Sequence, residues 1–413
     1  MITRKAIGLS LLIVAIGLDT GVTSASGASA ASGAPSGNRV TVWGTSLSMG
    51  GGPTLGQQTI RMVAHANAAG SQLRIRLSNL RGTTPLAVGA VSIAAQSDGA
   101  TPVPGTLRTV TFSQAKTLSI PAGADVVSDP IPMSVAAEQN VLVSVYLPQG
   151  SRSPCWHSDA FDRTWLSTTG DHTGDVGNGN YAQSTTSWYY LAGVDVVPSE
   201  ARGTVVAFGD SITDGYSTPT SAYQRWPDAL ARRLAEDRHP MGVVDAGIGG
   251  NKVLTDAPNN LGIAALKRFA HDALEQPGVR TVILMEGIND IGNDAGPNGG
   301  PLTAQDLING YKALIDQAHR AGVRILGGTM LPFKGAGYYN DAREAIRQAG
   351  NQWIRTSGAF DGVVDFDAAT RDPSNPAAMH PKYDCGDHLH PNRIGMQAMA
   401  NAVDLKLLYP KGQ

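Results

Sequence analysis

Near Pro198 the sequence changes period, and no other feature restricts the fold as strongly. Beyond it, short apolar runs alternate with stretches of helical spacing. Residues 204–208, 242–246, 281–285, 323–327 and 362–366 read as strands. Residues 223–236, 263–274, 303–320, 341–356 and 391–408 read as helices. In the first of these, Trp226, Leu230 and Leu234 fall near one face. Such alternation predicts an α/β unit, a parallel sheet with helices on both faces. In open sheets of this kind, ligands bind beyond the carboxyl ends of the strands. Reactive residues should therefore stand just after strands.

The first half of the chain has a different texture. Residues 73–77 (Leu-Arg-Ile-Arg-Leu) alternate apolar and polar, the period of a half-buried strand. Residues 86–93 and 141–147 are short runs rich in β-branched types. Turn signals such as Arg81-Gly82, Pro121-Ala122-Gly123 and Asp129-Pro130 separate them. No long helical pattern appears, and the spacing favours an all-β, sandwich-like unit. Residues 167–187, rich in Gly, Thr, Ser and Asn, read as a long surface loop. The predicted organisation is a β-sandwich-like domain over 39–199 followed by an α/β domain over 200–413.

Ahead of both lies a leader. Arg4 and Lys5 precede an apolar run over 6–18, the pattern of a signal peptide covering 1–30, with Ala28-Ser29-Ala30 suited to cleavage. An uncleaved anchor is the alternative. Residues 31–38 read as a flexible leader. No other long apolar stretch follows, so a secreted protein without a stable membrane anchor is expected. The 413 residues are 42% hydrophobic and 16% charged, enough for large cores, and the formal net charge is -2. That charge creates no field toward nucleic acid or an acidic surface, and no nucleic-acid partner is expected.

The strand ends do carry candidate chemistry. The first predicted strand runs into Gly209-Asp210-Ser211-Ile212-Thr213-Asp214-Gly215. Ser211 then falls near a helix start, where unpaired backbone N–H groups can face a developing negative charge. The tripeptide alone better suits a turn or N-cap serine. The second strand leads into Gly247-Ile248-Gly249-Gly250-Asn251, whose glycines let backbone approach a ligand closely. This loop lacks phosphate-loop and dinucleotide spacing, and a plain flexible turn is the other reading. The third strand ends in Glu286-Gly287-Ile288-Asn289-Asp290, where Asn289 can aim an amide at an oxyanion or cap a loop.

The last piece is Asp387-His388-Leu389-His390-Pro391-Asn392. A serine hydroxyl needs a base to act as a nucleophile. Histidine, with a reference pKa of ~6.5, supplies one. A carboxylate fixes the ring's tautomer and stabilises the imidazolium. Asp387 and His390 are close enough in sequence to pair, and Pro391 suits the first position of a helix. Asp384, Asp387, His388 and His390 also form a metal-like cluster, but no further ligand group completes it. Neither a metal nor any other cofactor is expected.

Residues 204–408 resemble the GDSL esterases of the SGNH hydrolase superfamily, whose four blocks occur here in order. The resemblance implies a flavodoxin-like three-layer α/β/α sandwich around a parallel sheet. It implies Ser211 as nucleophile, His390 as base and Asp387 as its orienting partner. It places the oxyanion between the Ser211 N–H, the Gly250 N–H and the Asn289 side chain. Gly250 rather than Gly249 follows from lining up the glycine block. The Gly-x-Ser-x-Gly elbow of α/β-hydrolases is absent around Ser211. The implied activity is that of a secreted serine esterase acting on short-acyl, chiefly acetyl, esters of carbohydrate or similar small-molecule or polysaccharide substrates. A lipase or lysophospholipase is the close variant. A carbohydrate-binding protein with a vestigial hydrolase fold, and a metal-dependent hydrolase, are the readings from other classes.

Two cysteines, Cys155 and Cys385, remain. In a secreted chain an even count suggests a disulfide, here joining the β domain to the segment before Asp387. Two free thiols are the alternative. Trp156, His157, Phe161, Trp165, Trp188, Tyr189 and Tyr190 cluster near Cys155 and suit core and interface packing or, less simply, sugar stacking.

Overall fold

The computed structural model describes residues 38–49, 52–152, 155–257, 261–294 and 296–409. The expected signal peptide, and residues 31–37 of the expected flexible leader, lie outside the described residues.

Residues 204 onward build a five-stranded parallel sheet from β1 (Thr204–Gly209), β2 (Gly242–Gly247), β3 (Val279–Met285), β4 (Arg324–Gly328) and β5 (Gly362–Val364). The strand order is β2-β1-β3-β4-β5. All six residues of β1 are buried. That is why this strand reads as a continuous apolar run rather than an alternating one. The order reverses at β1, the kind of switch point beyond whose carboxyl ends open parallel sheets bind ligands. Helices α1 (Ser211–Asp214), α2 (Trp226–Glu236), α3 (Ala265–Phe269), α4 (Ile288–Asn293), α5 (Ala304–Arg320), α6 (Asp341–Thr356), α7 (Phe366–Thr370) and α8 (Arg393–Ala402) connect and cover the strands.

Several boundaries differ from the expectations, each for a local reason. The fifth strand stops at Val364 because the Asp365 side chain accepts from the Ala368 N–H and starts α7. The predicted helix 263–274 is α3 followed by a π-helical turn, Ala270–Leu274. The C-terminal helix begins after Asn392, whose side chain accepts from the N–H groups of Ile394 and Gly395, so Pro391 lies before the cap. That helix ends at Ala402, and a separate 3-10 turn covers Leu405–Leu408.

Beside three smaller sheets among the described residues, two large antiparallel sheets dominate the first half. One joins Val40–Gly44, Leu191–Pro198, Gly70–Ser78 and Asp125–Val127; the other contains Thr164–Thr169, Gln58–Ala66, Gln139–Leu147 and Ala90–Asp98. Their inward residues, among them Ile75, Leu77, Val194, Met62, Val143 and Ile93, share one hydrophobic core. The α/β part has its own core, around Val206, Phe208, Leu230, Leu284 and Leu326. The predicted surface loop is shorter than expected, since Gln183–Thr185 pairs with Thr164–Thr169.

The polar face of Gly70–Ser78 is where the alternating pattern misleads. Leu73, Ile75 and Leu77 are fully buried as expected. Arg76 is also buried, because its Nη2 reaches Gln276 Oε1 at 2.6 Å, in the α/β part. The two parts are joined most closely along β2, an edge strand that would otherwise expose unpaired backbone groups. Asn67 covers it with a paired amide: Nδ2 donates to the Val243 carbonyl at 2.5 Å, and Oδ1 accepts the Val243 N–H at 3.0 Å. Val40–Gly44 runs alongside. The Thr41 N–H donates to Thr204 Oγ1 at 3.1 Å, and the Thr41 carbonyl fills the space where a side chain on residue 242 would begin.

A Cβ at Gly242 would lie 2.0 Å from the Thr41 oxygen. Gly242→Ala should therefore force the joined strands apart, at a cost of about 1–3 kcal/mol for overpacking. Thermal denaturation should show a lower midpoint, and an unchanged midpoint would contradict this packing.

Candidate active site

Ser211 opens α1, one helical turn directly beyond β1. Asp210 is the N-cap, its side chain accepting from the Ile212 N–H at 3.0 Å. The N–H groups of the first turn have no acceptor within the helix and point outward from its start. Gly209 is required here for space: a Cβ would lie 2.4 Å from both the Met285 carbonyl and Thr213 Oγ1. Gly247 is required likewise, since its Cβ would lie 2.3 Å from the Asp214 nitrogen. The turn is thus pressed onto the ends of β2 and β3. Burial pushes the Asp210 carboxyl up to about 7, with Asp290 adding to the rise against the pull of Arg268.

The loops after β2 and β3 meet beside this turn. Gly250 adopts φ +74°, which a side chain would strain. Asn251 is fully buried, its Nδ2 donating to the carbonyls of Leu261 and Ile263 at 2.9 Å each. Asn289 Nδ2 donates to the Asn251 carbonyl at 3.0 Å, tying the two loops together. An amide nitrogen has two hydrogens, so this bond uses one of them. Asp290 accepts the N–H groups of Val253 and Leu254 at 2.8 and 3.0 Å, fixing the continuation of the same loop.

Beneath these loops lies Arg268, wholly buried on α3. Its guanidinium donates to the Gly209 carbonyl at 2.9 Å, the Ala246 carbonyl at 2.9 Å and Asn251 Oδ1 at 2.8 Å. It also reaches Ser46 Oγ of the β domain at 3.1 Å and Asp272 at 3.2 Å, and stacks over Phe208. One side chain therefore holds the ends of β1 and β2, the asparagine loop and the neighbouring domain. The second carboxylate near it, Glu286, is fully buried without a hydrogen bond, and burial pushes it up to about 8 despite Arg268.

The last predicted pieces arrive on the segment before α8. Ser211 Oγ and His390 Nε2 are 2.8 Å apart. His390 Nδ1 faces Asp387 Oδ2 at 2.6 Å, so the ring donates to the carboxylate and presents Nε2 to the hydroxyl as acceptor. Asp387 Oδ1 accepts the N–H groups of Leu389 and His390 at 2.9 and 2.8 Å. Partial burial opposes ionisation of Asp387, but these hydrogen bonds outweigh it and hold the carboxyl at about 2. A hydroxyl, an acceptor imidazole and an ionised carboxylate in this order can transfer a proton away from the serine during attack on a carbonyl.

The metal-like cluster is partitioned differently. Both ring nitrogens of His390 are engaged, and His388 Nδ1 lies 2.7 Å from Asp384 Oδ2. Asp384, Cys385 and Asp387 do lie within ligand reach of one another. The expected Cys155–Cys385 disulfide is absent, and both thiols are free. Cys155 is buried in the β-domain core, with its sulfur accepting from the Arg81 N–H. Cys385 belongs to the partly exposed turn that pairs with the His390 carbonyl. Burial raises both thiols, Cys155 to about 11, so neither is a ready thiolate.

The β domain still reaches the site, through Phe161 and His157 of the aromatic cluster. Tyr216 packs against His390 with ring centroids 4.2 Å apart, and Phe161 meets Tyr216 edge-on at 6.5 Å. His157 Nε2 lies 2.9 Å from Asp214 Oδ1, at the far end of α1. His157 stood among the clustered aromatics and Asp214 within the serine block, but nothing in either neighbourhood linked them. Arg268 had no signal beyond being a charge on a predicted helix.

Residues 207–398 match the family model described as GDSL-like Lipase/Acylhydrolase family. No match was found among curated proteins. Solved structures similar to this chain include an acetylxylan esterase from Geobacillus stearothermophilus, at 19% identity, covering 51% of this chain and 96% of that one with a TM-score of 0.38. A GDSL-like lipase from Bacteroides thetaiotaomicron shares 18% identity, covering 50% and 88% with a TM-score of 0.37. A member of the lipolytic protein G-D-S-L family from Veillonella parvula shares 20% identity, covering 48% and 94% with a TM-score of 0.35.

Arg268→Met keeps the length of the side chain and removes every donor. It leaves Asp272 without its guanidinium and several buried acceptors unpaired, a loss of about 3–5 kcal/mol by comparison with other broken buried pairs. The variant should denature at a lower temperature and lose esterolytic activity with it. A variant as stable and active as the parent would show that the loops do not depend on this residue.

Proposed function

Residues 207–398 belong to the GDSL-like lipase/acylhydrolase family and the protein is a carboxylic ester hydrolase; on that premise, we propose that it cleaves short-acyl esters, acetyl esters of carbohydrate foremost, through an acyl-enzyme on Ser211. The observation that carries this reading is the continuous hydrogen-bonded line from Ser211 Oγ through His390 to Asp387.

In the proposed reaction His390 Nε2 removes the Ser211 proton as Oγ attacks the ester carbonyl. The negative charge on the former carbonyl oxygen faces the Ser211 and Gly250 N–H groups and the second hydrogen of Asn289 Nδ2. Each such donor is worth about 2.7–4 kcal/mol in the transition state. His390 then protonates the departing alcohol, and a water molecule repeats the sequence on the acyl-enzyme. Asp387 remains ionised throughout, in keeping with its depressed value.

Three features support a short acyl group on a polar alcohol. Leu261 closes on the Gly250 turn, where an added Cβ would lie 2.8 Å from its Cδ2. Among the described residues, the exposed large apolar side chains are Val127, Val176, Tyr216 and Ile394, too few for the apolar face that a lipid surface requires. Tyr216, half exposed beside His390, offers a ring face to a sugar. The N-terminal apolar run supports secretion as the setting, and no helix among the described residues is long and apolar enough to cross a membrane. Recovery of a chain starting near Ala31 from the medium would bear out secretion; a cell-bound chain retaining residues 1–30 would refute it.

Nitrophenyl acetate, butyrate and octanoate should be hydrolysed with kcat/KM falling along the series, unaffected by a chelator. Ser211→Ala should lose at least about 10³-fold in kcat. An octanoate preference would favour the lipase variant, chelator-sensitive turnover a metal-dependent one, and full activity in Ser211→Ala would remove the proposed nucleophile. Asp387→Asn, which leaves the geometry but favours the wrong tautomer of His390, should lower kcat by about 10⁴-fold. A loss of under tenfold would contradict the role given to that carboxylate.

A further inference from the structure

We infer that the β domain positions the nucleophile: His157 holds Asp214, the last residue of the helical turn that Ser211 begins, and so sets Ser211 Oγ against His390. This rests on the reading of Ser211 as nucleophile.

A four-residue helix has no stability of its own, because nucleation is unfavourable at that length. The orientation of α1 must come from what grips it. At its start the grip is Asp210, the N-cap. At its end the Asp214 side chain is almost wholly buried. Its Oδ1 lies 2.9 Å from His157 Nε2, and its Oδ2 borders the Gly249 turn of the proposed oxyanion loop. Asp214 therefore touches both structures on which acyl transfer would depend, and its partner comes from the other domain.

His157 is built to hold it. The residue is 2% exposed and ends the strand Cys155–His157, which pairs with Ser48–Met49 on one side and Trp188–Tyr189 on the other. Its Nδ1 lies 2.8 Å from the Ser46 carbonyl, with Thr45 Oγ1 at 3.3 Å. A carbonyl only accepts, so Nδ1 carries a hydrogen, and Nε2 faces a carboxylate. Both nitrogens then donate and the ring is an imidazolium. Burial opposes that charge, but Asp214 and the Ser46 carbonyl together raise His157 to about 9. Arg225 opposes the rise; on the Asp214 side, Asp245 interacts electrostatically with Asp214, and Asp159 Oδ2 borders the same Gly249 turn. Ser46 also receives the Arg268 hydrogen bond, so one short β-domain segment braces the serine turn through two cations.

The direction of the pH effect follows. The folded value lies above the ordinary histidine value of ~6.5. The bond to Asp214 is therefore at full strength below about that pH and is lost as pH rises through about 9.

The test uses the full chain as wild type, His157→Ala, His157→Gln and Ser211→Ala, with active sites counted by an aryl phosphonate that labels the reactive serine. His157→Ala should lower kcat per titrated site by about 10- to 100-fold, the scale of a displaced reacting group, with KM changed little. His157→Gln, whose amide nitrogen can donate to Asp214, should recover much of that loss. Wild-type kcat should decline as pH passes about 9, and the glutamine variant should lack that step. A purely architectural His157 would lower the number of titratable sites and leave kcat per site unchanged, which overturns the inference. An identical alkaline decline in His157→Gln overturns it too, and that comparison holds even if His157→Ala fails to fold. Labelling of Ser211→Ala equal to wild type would instead remove the nucleophile assignment itself, whatever His157 does.

Discussion

A guanidinium can be buried only if its N–H groups find acceptors, and that requirement organises the carboxyl end of the sheet. Arg268 meets it with the carbonyls ending β1 and β2, the side chain of Asn251, Asp272 and a serine of the β domain. None of these acceptors can move far without leaving a buried donor unpaired. The loops that carry Ser211, Gly250 and Asn289 are therefore held from below by one charge. The site above can be rigid although it is built from loops and a single helical turn. Such preorganisation is what electrostatic stabilisation of an oxyanion needs, because the donors must already be aimed when charge develops.

The same logic explains why the β domain is more than an attachment. It covers the open edge of β2 through Asn67 and places the Thr41 carbonyl where Gly242 leaves room. It also sends Arg76 to Gln276, Ser46 to Arg268 and His157 to Asp214. Each contact is polar and buried, so each is strong only while its partner is in place. The serine turn accordingly depends on two cores at once. The proposed nucleophile begins a turn of the α/β part, while part of that turn's support comes from the β part.

The sequence disclosed what is local. β1 was legible because a central parallel strand is apolar throughout, and the serine, glycine, asparagine and histidine segments were legible because each follows a strand or precedes a helix. Boundaries set by a single side chain, such as Asp365 ending β5 or Asn392 starting α8, were not. Periodicity marks which face is apolar but not what covers the polar one, so the burial of Arg76 against Gln276 had no sequence signal. Pairing across long sequence separations carries no periodic signal at all. That is why His157 and Asp214, and Arg268 and Ser46, went unpaired, while the two cysteines were paired by count alone and proved to be free thiols.

The most direct measurement is to quench the protein with acid during turnover of an aryl acetate and locate the covalent acyl group by peptide mass analysis. The expected result is an acetyl group on the peptide carrying Ser211, formed within one turnover and lost as substrate is exhausted. An acetyl group on another residue, or hydrolysis with no acylated protein even when deacylation is slowed by an alkyl-hindered acyl group, would contradict the proposed mechanism.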